Sequence, residues 1–294
     1  MSCTISMTGV NVLSSPATNT IEKQSPILTH TQDGVTTLTM NTPARLNGWT
    51  MSMMDALKQS LKYAAGDEQT RVLVLTGADP YYCAGVNLAA TLRPAHPRKL
   101  RSMIIAHNQA LFDAFLDFPK PLLVAVNGPA IGASVTSATL CDGIIASDRA
   151  TFSTPFAALG VPPEGCSSVQ FSRIMDQQHA DRMLGQEGWK PTAGEALAAG
   201  LIQWVSPHEK LAEEAQRIAR EWASSGARRS FRGGSSRDEL KAVNARESIA
   251  LADAFLGTPF IKGQLRFLWS RKKWGPATMF LAMLVSRPLW SRLL

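Results

Sequence analysis

Several features that define other protein classes are scarce in this sequence of 294 residues. Its four cysteines, Cys3, Cys83, Cys141 and Cys166, lie far apart, with no CxxC pair and no histidine at metal-ligand spacing. This pattern argues against a disulfide or zinc framework and is typical of reduced thiols inside a cell. We therefore predict an intracellular protein without a metal site.

Charge is unevenly distributed. Residues 1–21 carry no charged side chain, so they lack the positive segment of a signal peptide and the arginines of a mitochondrial presequence. We interpret residues 1–25 as a flexible arm. Residues 254–294 carry seven Lys or Arg and no acid, so the net charge of +7 belongs to this segment. No nucleic-acid-binding signature accompanies it, and we expect no nucleic-acid partner.

Long hydrophobic runs are missing near the end of the chain. The uncharged stretch Ala277–Ser286 is ten residues long, about half the roughly 20 that a membrane-spanning helix needs. We expect the basic and apolar extension 274–294 to pack on a neighbouring subunit. Contact with a membrane surface is the less favoured alternative.

Apolar runs alternate with helical patterns over much of the chain. Strands are predicted within residues 34–41, 71–77, 122–128 and 143–147, and helices over 50–67 and 100–118, the first with Thr50 as its N-cap. After residue 177 the pattern is almost wholly helical. This alternation predicts an α/β fold, with a core over 26–205 and a helical region over 206–273.

Two glycine-containing segments could supply backbone N–H groups to a ligand. In YYCAGVNL, Gly85 permits a turn that leaves the N–H of Val86 pointing outward, and in NGPAIGAS, Gly132 precedes a helix that begins at Ala133. Two such N–H groups aimed at one point form an oxyanion hole. Taken alone, each segment is as well explained by an ordinary turn between a strand and a helix.

The segments ARLNG, RVLVLTGADPYYCAGVNL, KPLLVAVNGPAIGASVTSATLCDG and LGVPPEGCSS together resemble the crotonase superfamily, also called the enoyl-CoA hydratase/isomerase family. The resemblance spans roughly residues 30–205 and is nearest to the peroxisomal type of Δ3,Δ2-enoyl-CoA isomerase. It implies a spiral of repeated ββα units followed by a helical C-terminal region that forms oligomers.

The resemblance also implies a reaction. Thr136 and Phe156 occupy the two positions where hydratases carry glutamates, which argues against hydration. Glu164 occupies the position of the isomerase base, where it would move a proton from C2 to C4 of a 3-enoyl-CoA. Val86 and Ala133 would hold the thioester enolate, and losing one such donor typically costs about 2.7–4 kcal/mol. Phe152, Phe156 and Val161 are expected to desolvate Glu164 and raise its pKa.

By the same resemblance, Arg45, Leu46, Cys83 and Ala84 are expected near the coenzyme A moiety, with Gly85 and Gly132 beside them. Coenzyme A is part of the substrate, so no separate cofactor is expected. The resemblance implies a homotrimer or hexamer, in a peroxisome-like organelle or a mitochondrion. A non-catalytic CoA-binding scaffold, a dienoyl-CoA isomerase and an acyl-CoA thioesterase are the alternatives.

Three other polar residues are interpreted as structural. Asp142 is expected to end a helix or pair with a basic side chain, His107 to be a satisfied core residue, and Cys166 to be a small packing residue rather than a nucleophile.

Overall fold

Eight strands and eleven helices are present in the computed structural model, which describes residues 25–86 and 95–294. The strands are β1 Ile27–Gln32, β2 Val35–Met40, β3 Val72–Gly77, β4 Leu122–Val126, β5 Ala130–Ile131, β6 Gly143–Ser147, β7 Phe152–Ser153 and β8 Trp204–Ser206. The helices are α1 Met51–Gly66, α2 Pro97–Leu116, α3 Ala133–Thr139, α4 Phe156–Leu159, α5 Ser167–Ile174, α6 Gln177–Leu184, α7 Ala193–Ala198, α8 Leu211–Ser225, α9 Arg237–Phe255, α10 Thr258–Ser270 and α11 Trp274–Trp290. The predicted arm, residues 1–25, lies outside the described residues except for residue 25.

Six strands form one sheet in the order β1-β2-β3-β4-β6-β8, and β5 pairs with β7 in a second, two-stranded sheet. Strand β1 is antiparallel to β2, whereas every other pairing in the larger sheet is parallel. Parallel strands need crossover connections, and α1 and α2 supply two of them. Helix α1 begins as predicted, because the side chain of Thr50 accepts a hydrogen bond from the N–H of Met53.

The larger sheet is buried on both faces. Alternate side chains of β3 show this: Leu73 and Leu75 join the main hydrophobic cluster, while Val72 and Val74 pack under α8 on the opposite face. A strand covered on both faces needs a continuous apolar run, which explains the sequence VLVL. Helix α8 belongs to the predicted helical region 206–273, so part of that region completes the core.

The strand predictions within 34–41, 71–77, 122–128 and 143–147 are confirmed, but four further strands were missed: β1, β8 and the two-residue strands β5 and β7. Strand β1 is an edge strand whose side chains are exposed after Ile27, so it lacks the alternation of a half-buried strand. Strand β8 has only three residues, and it corrects the expectation of an almost wholly helical chain after residue 177.

Helices α10 and α11 form a hairpin around a small hydrophobic cluster centred on Phe260 and Phe280. The outer side of the hairpin is apolar too, since Trp269, Val285 and Leu289 are more than half exposed. Within the described ranges, no helix combines the length and apolar character that crossing a bilayer demands.

Candidate active site

Glu164 lies in the loop between α4 and α5. Its carbonyl accepts hydrogen bonds from the N–H and the hydroxyl of Ser167, at 3.3 and 2.7 Å. The next residue, Gly165, has a φ of +64°, and a Cβ there would collide with Phe112 on α2 and Thr136 on α3. Only glycine therefore lets the loop lie against both helices with this backbone.

The carboxyl group of Glu164 is buried, with 8% of the residue exposed. Burial raises its pKa from 4.5 to about 8, and the negative charge of the nearby Glu247 adds to the rise. No hydrogen bond from another described group opposes these effects. A carboxyl group with this pKa can both accept and return a proton near neutral pH.

Glu247 on α9 holds the turn that follows Glu164. Its two carboxylate oxygens accept hydrogen bonds from the N–H groups of Cys166, at 2.6 Å, and Ser168, at 3.0 Å. The sequence analysis assigned no role to Glu247. The available signal was its spacing, since Leu240, Glu247 and Leu251 lie at positions i, i+7 and i+11 of one buried helix face.

The N–H of Val86 has no acceptor among the described residues. The backbone beside it is fixed, because Gly85 accepts a hydrogen bond from the N–H of Trp49 at 2.8 Å. Gly85 has a φ of +82°, and a Cβ on it would lie 2.8 Å from the carbonyl oxygen of Ile131. This close approach requires glycine and brings the turn alongside β5.

Ala133 is the first residue of α3, and its N–H likewise has no acceptor in the part of the chain that the structure describes. Gly132 before it adopts φ +62° and ψ −126° and donates its own N–H to the carbonyl of Ser153 at 2.7 Å. Residues with a side chain rarely adopt this backbone conformation, so glycine at position 132 sets the direction of the peptide that carries the Ala133 N–H.

Glu164, Val86 and Ala133 line one cavity of about 420 Å³. Most of its lining is apolar and comes from α1, α2, α4, α9 and α10. Glu164 is the only acidic residue among the described residues of that lining. Six of the nine predicted site residues are brought together here: Glu164, Val86, Ala133, Ala84, Gly85 and Gly132.

The other three predicted site residues do not line the cavity. Arg45 is exposed, and the carbonyl of Leu46 accepts a hydrogen bond from the N–H of Ala84 at 2.9 Å, which joins their loop to the cavity rim. Cys83 is fully buried, burial raises the pKa of its thiol to about 12, and its carbonyl is taken by the N–H of Ile131. Arg45 and Leu46 are therefore both open to solvent, whereas Cys83 is not.

The residues in the two hydratase positions supply no acid. Thr136 is buried, and its hydroxyl donates to the carbonyl of Ala133 at 3.2 Å. Phe156 lines the cavity together with Val161, as expected for residues that desolvate Glu164. Phe152 does not line it and instead belongs to the main hydrophobic core.

The structure corrects the interpretation of His107 as a core residue. His107 is half-buried and lines the cavity beside Asn108, with its Nδ1 2.7 Å from the carbonyl oxygen of Met103. The apolar face predicted for this helix therefore faces the cavity at Ile104 and Leu111 as well as the core.

Three residues of the C-terminal helices, Leu251, Phe255 and Phe260, also line the cavity and were not predicted to do so. The sequence analysis had assigned this region to oligomer formation. Ring stacking between Phe255 and Phe260, with centroids 4.6 Å apart, joins α9 to α10 at the cavity wall.

Asp142 and Cys166 have the structural roles predicted for them. Asp142 pairs with Arg229 at 2.8 Å and accepts a hydrogen bond from the N–H of Leu122. Cys166 is buried and donates its thiol to the carbonyl of Leu240. Within residues 25–86 and 95–294, no group of three or more His, Cys, Asp or Glu side chains is arranged to hold a metal ion.

A family model described as enoyl-CoA hydratase/isomerase matches residues 30–272. The chain is 36% identical over 258 residues to "Enoyl-CoA delta isomerase 2" of Homo sapiens, covering 82% of this chain and 63% of that protein. It is 33% identical over 264 residues to "Enoyl-CoA delta isomerase 3, peroxisomal" of Mus musculus, covering 84% and 79%. The first relative is thus matched over less than two thirds of its length.

A solved structure of an enoyl-CoA hydratase/isomerase from Pseudoalteromonas atlantica superposes with a TM-score of 0.72 at 27% identity. The match covers 83% of this chain and 97% of that one.

Proposed function

The chain belongs to the enoyl-CoA hydratase/isomerase family, as its motifs predicted, and from this premise we propose that it converts 3-enoyl-CoA to trans-2-enoyl-CoA. Glu164 is the proton shuttle in this proposal, and the N–H groups of Val86 and Ala133 form the oxyanion hole. Two relatives carry the name enoyl-CoA delta isomerase, which supports an isomerase over a hydratase.

One observation carries the proposal: among the described residues, a single carboxyl group lines an apolar cavity that two backbone N–H groups without a described acceptor also line. Hydration requires one group to activate water and another to handle the proton at C2, and hydratases use a pair of acids for this purpose. As far as the structure describes the chain, Glu164 is the one acid in the cavity lining. An isomerisation that moves one proton between two carbons needs no second acid.

The chemistry follows from these groups. The ionised carboxylate removes a proton from C2, and the electrons of that C–H bond delocalise through the C3=C4 double bond and the thioester carbonyl to form a dienolate. The negative charge collects on the thioester oxygen, where N–H donors stabilise it. Glu164, now protonated, returns the proton to C4, which leaves the double bond between C2 and C3 and restores the carboxylate.

The test is turnover of trans-3-hexenoyl-CoA, followed by the ultraviolet absorbance of the conjugated product. We expect activity in the wild type and a loss of about 10²–10⁴-fold in Glu164→Gln, the range usual for a general acid–base group. CoA binding should persist in the variant, because the substitution preserves the shape of the side chain.

The matched control is Glu195→Gln, which makes the same chemical change at an exposed helix cap. This control should keep full activity. A wild type that binds CoA but does not isomerise the substrate would refute the proposal. Release of free thiol from saturated acyl-CoA would then indicate a thioesterase, and binding without either reaction would indicate a scaffold.

We further propose that a second copy of the chain covers the outer side of the α10–α11 hairpin. Leu281, Val285 and Leu289 lie four residues apart and form an exposed apolar row on α11. Light scattering should show an oligomer for the wild type and a monomer for a Val285→Asp, Leu289→Asp double variant. An unchanged mass in the variant would contradict this assignment.

The substrate is itself the CoA thioester, so the proposed reaction uses no separate cofactor. A peroxisome-like compartment is part of the same proposal, because the mouse relative is named peroxisomal.

A further inference from the structure

Glu247 combines burial with an unusual set of partners. It lies on α9, 7% exposed, and reaches out of that helix to the turn before α5. One oxygen accepts the N–H of Cys166 and the other accepts the N–H of Ser168. Both N–H groups belong to the beginning of α5 and would otherwise be orphaned there.

These contacts favour the ionised form of Glu247. Two N–H groups directed at the two oxygens stabilise a carboxylate, and the amino end of a helix adds positive potential. Glu164 has neither advantage, because no described group donates to its carboxyl oxygens. When two neighbouring buried acids compete for one proton, the acid without donors retains it.

The turn held by Glu247 also carries Glu164. Cys166 has a φ of +65°, a conformation that only a few per cent of residues other than glycine adopt, and it follows Gly165 at +64°. A backbone turn of two such residues is expected to need an external anchor to keep one geometry. The short hydrogen bond from Cys166 to Glu247 provides it, two residues after Glu164.

We propose that Glu247 is a positioning residue for Glu164: as a buried anion it anchors the turn that aims Glu164 into the cavity, and its negative charge acts on the neighbouring Glu164 carboxyl group. This inference rests on the proposed function. The pKa of Glu164, raised to about 8 partly by Glu247, agrees with it.

Other charged groups near the pair are few among the described residues. Burial raises the pKa of Glu247, and the hydrogen bonds from Ser168 and Cys166 and the charge of Arg246, its neighbour on α9, oppose that rise. On α2, Asp113 accepts a hydrogen bond from Asn244 and faces the same helix, and His107 lines the cavity with Glu164. None of these three residues accepts a hydrogen bond from the N–H groups of Cys166 and Ser168, which bind Glu247.

A purely structural role for Glu247 makes a different prediction from a role that acts through charge. Glu247→Gln removes the charge and leaves a single oxygen for two N–H groups, whereas Glu247→Asp keeps the charge on a shorter side chain. Ser236→Ala is the matched control, because it removes the N-cap of the same helix far from Glu164. All three variants are compared in the full chain.

The first readout is the pH profile of kcat/KM with trans-3-hexenoyl-CoA. We expect the acidic midpoint to fall by about half a pH unit or more in Glu247→Gln, because the neighbouring charge is gone. In Glu247→Asp the midpoint should stay near the wild-type value while kcat falls about tenfold or more through misplacement of Glu164. Ser236→Ala should change neither.

Equal midpoints in wild type and Glu247→Gln would overturn the proposal, as would midpoints that move together in Glu247→Gln and Glu247→Asp. A second readout needs no turnover: the ¹³C carboxyl resonance of Glu164, identified by its absence from Glu164→Gln, is titrated in wild type and Glu247→Gln. If the wild type were inactive but this titration moved as expected, the proposed function would fail while the link between the two acids would stand.

Discussion

Two polar clusters in this protein differ in a way that separates a stabilising arrangement from a catalytic one. At the carboxyl ends of β3, β6 and β8, Ser147, His208 and Asp79 form a chain of hydrogen bonds. Ser147 Oγ is 3.1 Å from His208 Nδ1, and His208 Nε2 is 3.1 Å from Asp79 Oδ2. By residue type, this is the set used by serine hydrolases. The carboxyl group of Glu164, by contrast, has no hydrogen-bond partner within residues 25–86 and 95–294.

By residue type the Ser147–His208–Asp79 cluster is the more obvious candidate for catalysis, but access to the cavity favours Glu164. Ser147 is fully buried, its hydroxyl also accepts the N–H of Arg149, and neither Ser147 nor His208 lines the cavity. The Ser147 hydroxyl is therefore already hydrogen-bonded within the protein and is not accessible to a substrate. Glu164 faces the cavity with an unpaired carboxyl group, which costs stability and leaves the group available for chemistry. Complete pairing is therefore evidence for a structural role in this molecule.

The sharpest test of the comparison concerns the N–H of Ala133. Gly132→Ala places a side chain at a φ of +62°, where no other atom lies within 4 Å, so its effect is on the backbone alone. Rotating the following peptide would misdirect the Ala133 donor, and loss of an oxyanion donor costs about 10²–10³-fold in kcat. Steady-state kinetics with trans-3-hexenoyl-CoA measures the effect.

Gly188→Ala is the control for that substitution, because Gly188 has a φ of +59°, also has open space around it and lies between α6 and α7. The control should lose stability while its kcat stays within about twofold of wild type. Equal losses of activity in the two variants would contradict a catalytic role for the Ala133 N–H.

Local signals were sufficient for much of the fold. The spacing of Met54, Leu57 and Leu61 and the cap at Thr50 predicted α1, and continuous apolar runs predicted the central parallel strands. Strands β1 and β8 lack such a signal, since one is exposed along most of its length and the other has three residues. Such strands are defined by their neighbours in the sheet, which a reading of local periodicity does not contain.

The glycines and the acid of the site were predicted from the sequence, whereas the residues that the C-terminal helices contribute were not. Gly85, Gly132 and Glu164 follow strands or precede helices in recognisable motifs. Glu247 and Phe260 come from helices far along the chain from those motifs. The packing of α9 brings Glu247 to the turn that follows Glu164, and the packing of α10 brings Phe260 to the cavity wall. Long-range packing of this kind leaves no trace in local sequence beyond an acid on an otherwise buried face.

The second test measures how much the buried carboxyl group of Glu164 lowers the free energy of unfolding. Burial raises the pKa of Glu164 from its ordinary value of 4.5 to about 8, so the folded chain binds the proton more tightly than the unfolded chain does. The free energy of unfolding should therefore fall as pH rises from about 4.5 to about 8. Glu164→Gln should remove this fall and stabilise the protein at pH 7 by about 1–3 kcal/mol.

Urea unfolding at pH 5 and pH 8 checks this expectation, and the gain from Glu164→Gln should be larger at pH 8. The exposed control Glu195→Gln should instead lose a little stability at both pH values, since it breaks a capping box. A pH-independent difference between Glu164→Gln and wild type would mean that the carboxyl group is not held protonated by its surroundings.

The smallest effect is expected at the fully paired cluster. His208→Ala removes the part-buried hydrogen bond to Ser147 and the exposed one to Asp79. An intramolecular hydrogen bond is worth about 0.5–1.5 kcal/mol net, so the free energy of unfolding should fall by about 1 kcal/mol. Isomerase activity should stay within about twofold of wild type, and Ser147→Ala should behave similarly. Thiol release from saturated acyl-CoA should be absent from wild type and both variants. The contrary result would be thiol release by the wild type that His208→Ala or Ser147→Ala abolishes. In that case the cluster would act as the hydrolase triad it resembles, and full pairing would no longer indicate a structural role.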